Sequence, residues 1–256
     1  VSKAMKTSDL NVIIPIAGPN KETEKDGYIK SLQEIERKTI LQYVFESLQS
    51  LQAINFDVVI KRKDVNAYHL DNVVKLLRPD AKIIISEEET MGAACTCMLA
   101  VDNLKMDSPL LIAGGDQLLT VDAAQIIADF SGRDLDGGTV IFDDIHPRWS
   151  FVKLDEAGFV VEAAEKRPIS RNASAGFYYF KKAACFFEAA QQMIDKDAAV
   201  NGSFYVCPVF NEMILKQMRI GVYRIKKEQY YSFSHDSGME AYKVYLKSLK
   251  AEGGAL

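Results

Sequence analysis

The chain has 256 residues, 48% of them hydrophobic and 26% charged, which suits a globular core and excludes a disordered or fibrous polymer. Its 35 acidic residues outnumber 31 basic ones, and like charges never cluster in long runs, so no field for nucleic acid or an anionic membrane arises. The longest apolar stretches fall far short of the ~20 residues of a membrane span. The opening VSKAMKTSDL also lacks the apolar stretch of a signal peptide, so a cytoplasmic protein is expected.

The four cysteines, Cys95, Cys97, Cys185 and Cys207, match neither a redox motif nor zinc spacing and read as core residues in a reducing compartment. The three histidines, His69, His146 and His235, are too far apart to suggest a histidine metal site.

In chain order, Leu10–Ile16 is an unbroken apolar strand, as expected where both faces are buried. It releases at Ala17-Gly18 into a polar loop. A helix is expected over about 39–51, with Ile40, Tyr43, Val44, Leu48 and Leu51 on one face. Strand 56–60, helix 65–77, strand 81–86 and helix 91–104 follow, Thr90 being a possible N-cap of the last. Strand 109–113, helix 121–130 and strand 138–142 complete a strand-helix alternation that implies a parallel sheet covered on both faces.

After Phe142 the pattern changes. Segments 149–154 and 159–164 flank the turn Asp155-Glu156-Ala157-Gly158 as a hairpin. A strand over 173–180, a helix over 182–195, a late strand over 221–225 and a closing helix over 239–249 are expected. The organisation read from this is one α/β domain. About 10–142 would form its parallel half, and about 143–250 a second half that supplies an acceptor-binding lobe.

Open α/β sheets bind ligands beyond the carboxyl ends of their strands. Asp116 sits just past such an end, after Gly114-Gly115, and its carboxylate suits magnesium; a plain turn aspartate is the alternative. Asp236 is a second metal-ligand candidate or a helix N-cap. Glu165-Lys166 pairs a hydroxyl acceptor with a phosphate-binding cation, unless both are surface residues. Gly176 would admit ligand or serve close packing. Gly92 opens a helix of small residues that a base or phosphate would approach. Lys30 closes the first loop within reach of a phosphate, or is merely solvated. The only D-x-D, Asp134-Leu135-Asp136, lies in a polar loop rather than at a strand end, which argues against a glycosyltransferase metal site.

The ordered set of strand-Ala-Gly, Gly-Tyr-x-Lys, T-x-G-A-A, L-I-A-G-G-D-Q, W-S-F-V-K-L-D-x-x-G, E-K-R-P-I-S, A-S-A-G-F-Y-Y-F, N-G-S-F-Y-V-C-P-V-F-N-E and a late D-S-G resembles the sugar-phosphate nucleotidyltransferase family over about 11–249. The resemblance implies a Rossmann-like, glycosyltransferase-A-like α/β fold with a mixed, mostly parallel sheet. It also implies transfer of a nucleoside monophosphate from an NTP to a sugar 1-phosphate or similar small phosphate, releasing pyrophosphate, for nucleotide-sugar and polysaccharide biosynthesis.

By the same resemblance, Mg²⁺ would be held by Asp116 with Asp236, and Lys30, Asp116 and Lys166 would serve catalysis. Ala17, Gly18, Lys21, Gly92 and Gly115 would bind nucleotide. Glu165, Gly176 and Asn201 would bind the acceptor, with Asn211 nearby. The partners would be the two substrates; separately, the aromatics Tyr230-Tyr231 would serve a homo-oligomer interface or simply cover the core. The family's Gly-x-Gly-Ser/Thr-Arg loop is replaced here by Gly18-Pro19-Asn20-Lys21-Glu22, with a glutamate at the arginine position; Lys21 or Lys25 would have to supply the charge. A binding or regulatory homologue without turnover is the alternative.

Overall fold

A computed structural model describes residues 9–17 and 28–251. Its first half contains β1 (Leu10–Pro15), a small hairpin of β2 (Glu34–Ile35) and β3 (Lys38–Thr39), α1 (Ile40–Ser47), β4 (Ala53–Lys61), α2 (Arg62–Tyr68), α3 (Leu70–Leu77), β5 (Lys82–Ser86), α4 (Ala93–Met98), β6 (Leu110–Ala113), β7 (Gln117–Leu119), α5 (Ala123–Gly132) and β8 (Gly137–Asp143). The second adds β9 (Ser150–Leu154), β10 (Val160–Glu165), β11 (Asn172–Phe180), α6 (Ala183–Asp195), α7 (Val209–Leu215), β12 (Ile220–Arg224), β13 (Tyr230–Ser232) and α8 (Asp236–Ala251).

The apolar runs explain the centre. β1 lies between β6 and β4, all parallel, and β5 extends the block beyond β4. Val12 and Ile14 face one hydrophobic cluster with Val58, Ile40 and Val44. Ile13 faces the other with Val59, Ile112 and Phe186. Each such side chain contributes roughly 1.5–3 kcal/mol by leaving water. Alternation would have exposed one face, so the continuous run is what a sheet covered on both sides demands.

The strand-helix alternation does not extend the parallel block through β8. β11 inserts antiparallel between β6 and β8, and β12 then pairs with β8 in parallel. With the β9–β10 hairpin at the edge, the nine-stranded sheet is mixed around a parallel centre.

Other boundaries shift for local reasons. The helix expected over 65–77 is two helices, because His69 adopts a left-handed conformation (φ 52°) whose N–H caps Val65. The helix expected from Met91 starts later: Gly92, not Thr90, is the N-cap, and α4 gives way to a short 3-10 turn at Val101–Asn103. Thr90 instead bonds the Thr96 hydroxyl. Asp122 caps α5 through the Ala124 N–H. All four cysteines are free, with Cys97 and Cys207 buried. Among the described residues no helix is long and apolar enough to cross a membrane.

One buried carboxylate works against stability. Asp57 in β4 is fully buried, pairs in register with Ile13 and Lys82, and neither oxygen has a hydrogen bond. Burial raises its pKa to about 6, and Lys82 only partly opposes this. The folded state therefore holds the proton more tightly than the unfolded chain does. The stability this proton carries is complete below the unfolded pKa of about 3.9 and is lost as pH rises through 6. Thermal melts should show Asp57→Asn stabilised by about 1–3 kcal/mol at pH 8, shrinking toward zero at pH 4.

Candidate active site

The carboxyl ends of β1 and β6 open into a cleft of about 430 Å³. Gly115, Asp116, Glu165, Lys166 and Gly176 all line it, although the sequence separates them widely. Asp116 is fixed twice. Its carbonyl accepts from the Phe233 N–H at 2.8 Å, and its carboxylate accepts from the Ser234 hydroxyl at 2.7 Å. These bonds continue the antiparallel β7–β13 ladder, so two short strands bring residues 230–235 to the rim. Gly115 lies flat on β1: a Cβ there would stand 2.8 Å from Ile16 Cγ1.

Gly176 makes the opposite wall. It interrupts the β11–β8 register between Ser174 and Tyr178, with φ 69°, and a side chain there would collide with the Gln117 amide. The interruption leaves Ser174 and Tyr178 beside the cleft, joined by hydrogen bonds from Thr139 through Ser174 to the Tyr178 hydroxyl.

Glu165 ends β10 and is buried, its carboxylate accepting from the Ser150 hydroxyl. Burial raises its pKa; Ser150 and Lys166 oppose that rise. Lys166 leaves the strand with φ 53°, a conformation rare outside glycine, while its N–H holds the Trp149 carbonyl at 3.0 Å. Its ammonium donates to the Tyr205 hydroxyl at 2.8 Å. A hydroxyl acceptor and a cation thus stand side by side, suited to a polyol that carries an anion.

The other expected site residues that are described do not line this cleft. Ala17 is buried in the core and does not line the cleft. Gly92 (φ 110°) abuts the Phe204 backbone, where a Cβ would collide with the carbonyl, so close packing accounts for it. Asn201 is an exposed turn residue with φ 51°. Asn211 clips α7 to β10 through the Ala163 N–H and carbonyl, both at 2.8 Å. Lys30 and Asp236 meet each other at 3.6 Å, with Lys30 12% exposed and Asp236 65%. Gly18, Lys21, Glu22 and Lys25 fall outside the described residues. Asp134, of the D-x-D, pairs with Lys181 and Arg219, and neither aspartate lines the cleft.

The cleft also holds residues that were not among the site candidates. Arg148, Trp149 and Tyr230 line it and lead into a second, more apolar lobe of about 600 Å³ beneath α8. The aromatic content of β13 and the Pro-Arg-Trp run were the available signals. Among the described residues no group of three or more His, Cys, Asp or Glu gathers as a metal cage.

No protein-family profile and no curated protein matches the chain. Solved structures do. A nucleoside-diphosphate-sugar pyrophosphorylase from Vibrio cholerae RC9 superposes with a TM-score of 0.76 at 22% identity, over 91% of this chain and 99% of the other. The inositol-1-phosphate CTP transferase from T. maritima gives 0.74 at 13% identity, over 98% and 99%. A UDP-glucose pyrophosphorylase complexed with UDP-glucose gives 0.71 at 16% identity, over 93% and 98%. Across nearly its whole length, the chain has the α/β fold of these nucleotide-sugar pyrophosphorylases and nucleotidyltransferases.

Proposed function

We propose that the chain transfers a nucleoside monophosphate from an NTP to a sugar 1-phosphate or a similar small phosphate, releasing pyrophosphate. The observation that carries this reading is the convergence of Asp116, Glu165 and Lys166 on one cleft at the β1 and β6 ends of this fold. Such a displacement needs positioning and charge stabilisation rather than a protein nucleophile.

Mg²⁺ fits the donors in a limited way. Magnesium is commonly bound by one or two carboxylates, with water and substrate phosphates completing its shell, and Asp116 offers a hard oxygen ligand inside the cleft. Mg²⁺ held there would neutralise charge on the phosphates. Asp236 would join only on parting from Lys30. At 3.6 Å, with the carboxylate 65% exposed, the contact is long and open on one side, so phosphate would compete with Asp236 for the lysine.

The remaining roles fall to the chain's own groups. Lys166 holds the acceptor phosphate, giving up Tyr205. Glu165 accepts a hydrogen bond from an acceptor hydroxyl, oriented by Ser150. Gly176 lets the Gln117 amide pack against β11 at the wall beside it. Ser234 keeps the Asp116 carboxylate turned to the cleft. The cytoplasm, where NTPs are made, is the expected compartment, and a nucleotide-sugar product would feed polysaccharide synthesis.

The test is pyrophosphate release with each ribonucleoside triphosphate and dTTP against sugar 1-phosphates and choline-like phosphates. Turnover with one pairing supports the reading. Silence throughout, with nucleotide still raising the melting temperature, would leave a binding homologue in its place. In the active pairing, Asp116→Asn should cut kcat by about 10²–10³ while stability changes by less than about 1 kcal/mol, read by kinetics and melting together.

Glu165→Gln should raise the acceptor KM by about tenfold with kcat little changed. Because the Glu165 pKa is raised, protonation begins at a higher pH than for an ordinary carboxylate. In the wild type the acceptor KM should climb as pH falls, and in Glu165→Gln that climb should disappear. A KM profile that is the same in both would remove Glu165 from acceptor binding.

A further inference from the structure

At the neck between the two lobes, Arg148 lines both, and its guanidinium lies 4.3 Å from the Trp149 ring centre. Among the described residues it makes no ion pair and its side chain makes no hydrogen bond; Nε is buried without a partner. Every other arginine in the second half is engaged: Arg167 with Glu162, Arg171 with Asp143, Arg219 with Asp134, Arg224 with Asn172. A guanidinium held partly out of water without a counter-charge is costly, and proteins normally pair it.

Its surroundings are rigid. Phe142, Trp149 and Tyr230 form a closed triangle of rings with centroids 4.8–5.6 Å apart. The triangle fixes the face on which Arg148 stacks. It also fixes the Tyr230 hydroxyl, which is buried, lacks a well-formed hydrogen bond and has Ser232 within reach. Asp116 and Arg148 both act electrostatically on that hydroxyl, so the three groups share one neighbourhood. An unpaired planar cation and an unsatisfied O–H donor, both preorganised at the wall of one cleft, are what a tetrahedral oxyanion requires.

We infer that Arg148, braced on Trp149 and assisted by the Tyr230 hydroxyl, is a phosphoryl-binding clamp of the cleft, holding the oxyanion of either the pyrophosphate or the acceptor phosphate. This deepens the proposed transfer activity by naming where a phosphoryl group is held, but binding alone tests it.

Trp149 is the only tryptophan, so its fluorescence reports directly on the cation stacked against it. The wild-type chain is titrated with inorganic pyrophosphate and, separately, with glucose 1-phosphate, at constant ionic strength. Calorimetry runs beside the fluorescence, because Arg148 variants alter the emission itself. Saturable binding is expected for at least one ligand, and the tighter of the two identifies the phosphoryl group held.

Arg148→Gln should weaken that ligand by about tenfold or more, Arg148→Lys by less, and Tyr230→Phe by a few-fold. Arg148→Lys keeps the charge and covers the case in which Arg148→Gln fails to fold. No saturable binding in the wild type would overturn the inference. So would affinities in folded Arg148→Gln, or Tyr230→Phe and Arg148→Lys together, that stay within twofold of wild type. Arg148-dependent binding without any turnover would instead sink the transfer reading and leave the clamp standing.

Discussion

The short ladder between β7 and β13 is the constraint on which the cleft depends. It pairs Leu119 with Tyr230, Leu118 with Tyr231 and Gln117 with Ser232. Beyond it the Phe233 N–H and the Ser234 hydroxyl take the carbonyl and carboxylate of Asp116, 118 positions from Ser234. An isolated two-stranded ribbon of this size is marginal in water. Aromatic packing holds it: Tyr231 meets Tyr242 at 5.0 Å and Tyr245 at 5.6 Å on α8, while Tyr230 meets Phe142 at 4.8 Å. The closing helix thus has a role distant from its own position. It packs against β13, which pairs with β7, and through that ladder sets the direction of the Asp116 carboxylate and the place of the Tyr230 hydroxyl.

The sequence announces elements in proportion to how much of each is buried on both sides. β1, β4, β5 and β6 announce themselves because a doubly covered strand has no polar face to interrupt the run. The hairpin before Glu165 is legible from Asp155 to Gly158, where the turn has its own chemistry. β7 and β13 are not legible, since strands this short carry no period. α7 is hidden behind Pro208 in a run, VCPVFNEMIL, that is apolar nearly all round. The break at His69 is a backbone decision that the apolar pattern of 65–77 does not encode. The place of β11 between β6 and β8 is a matter of topology, and alternation of strands and helices is blind to it.

The same reasoning divides the site. Asp116, Glu165 and Lys166 share one cleft because residues just past a buried strand are delivered to a predictable edge of the sheet. Gly176 could be found because a glycine within an aromatic strand needs a reason, and the interrupted register supplies one. Lys30 and Asp236, far apart in sequence, are set against each other at 3.6 Å by the fold, which the sequence does not announce. Arg148 had no signature at all. A lone arginine in an irregular loop becomes informative only when no carboxylate among the described residues is seen to claim it.

Two buried carboxylates show how position decides between cost and use. Asp57 and Glu165 both have raised pKa values for the same first reason, loss of water. Asp57 lies within the sheet with both oxygens unmet, where no ligand can reach it, so its proton matters only to folding. Glu165 sits at a strand end against the cleft, with Ser150 satisfying one oxygen and Lys166 adjacent. Its desolvation leaves an acceptor directed by one hydrogen bond and open to another, the condition under which a missing hydroxyl in the ligand is felt most. On the proposed function, selectivity for the acceptor would therefore belong at the β10 end of the cleft, and phosphoryl binding with the cations beside it.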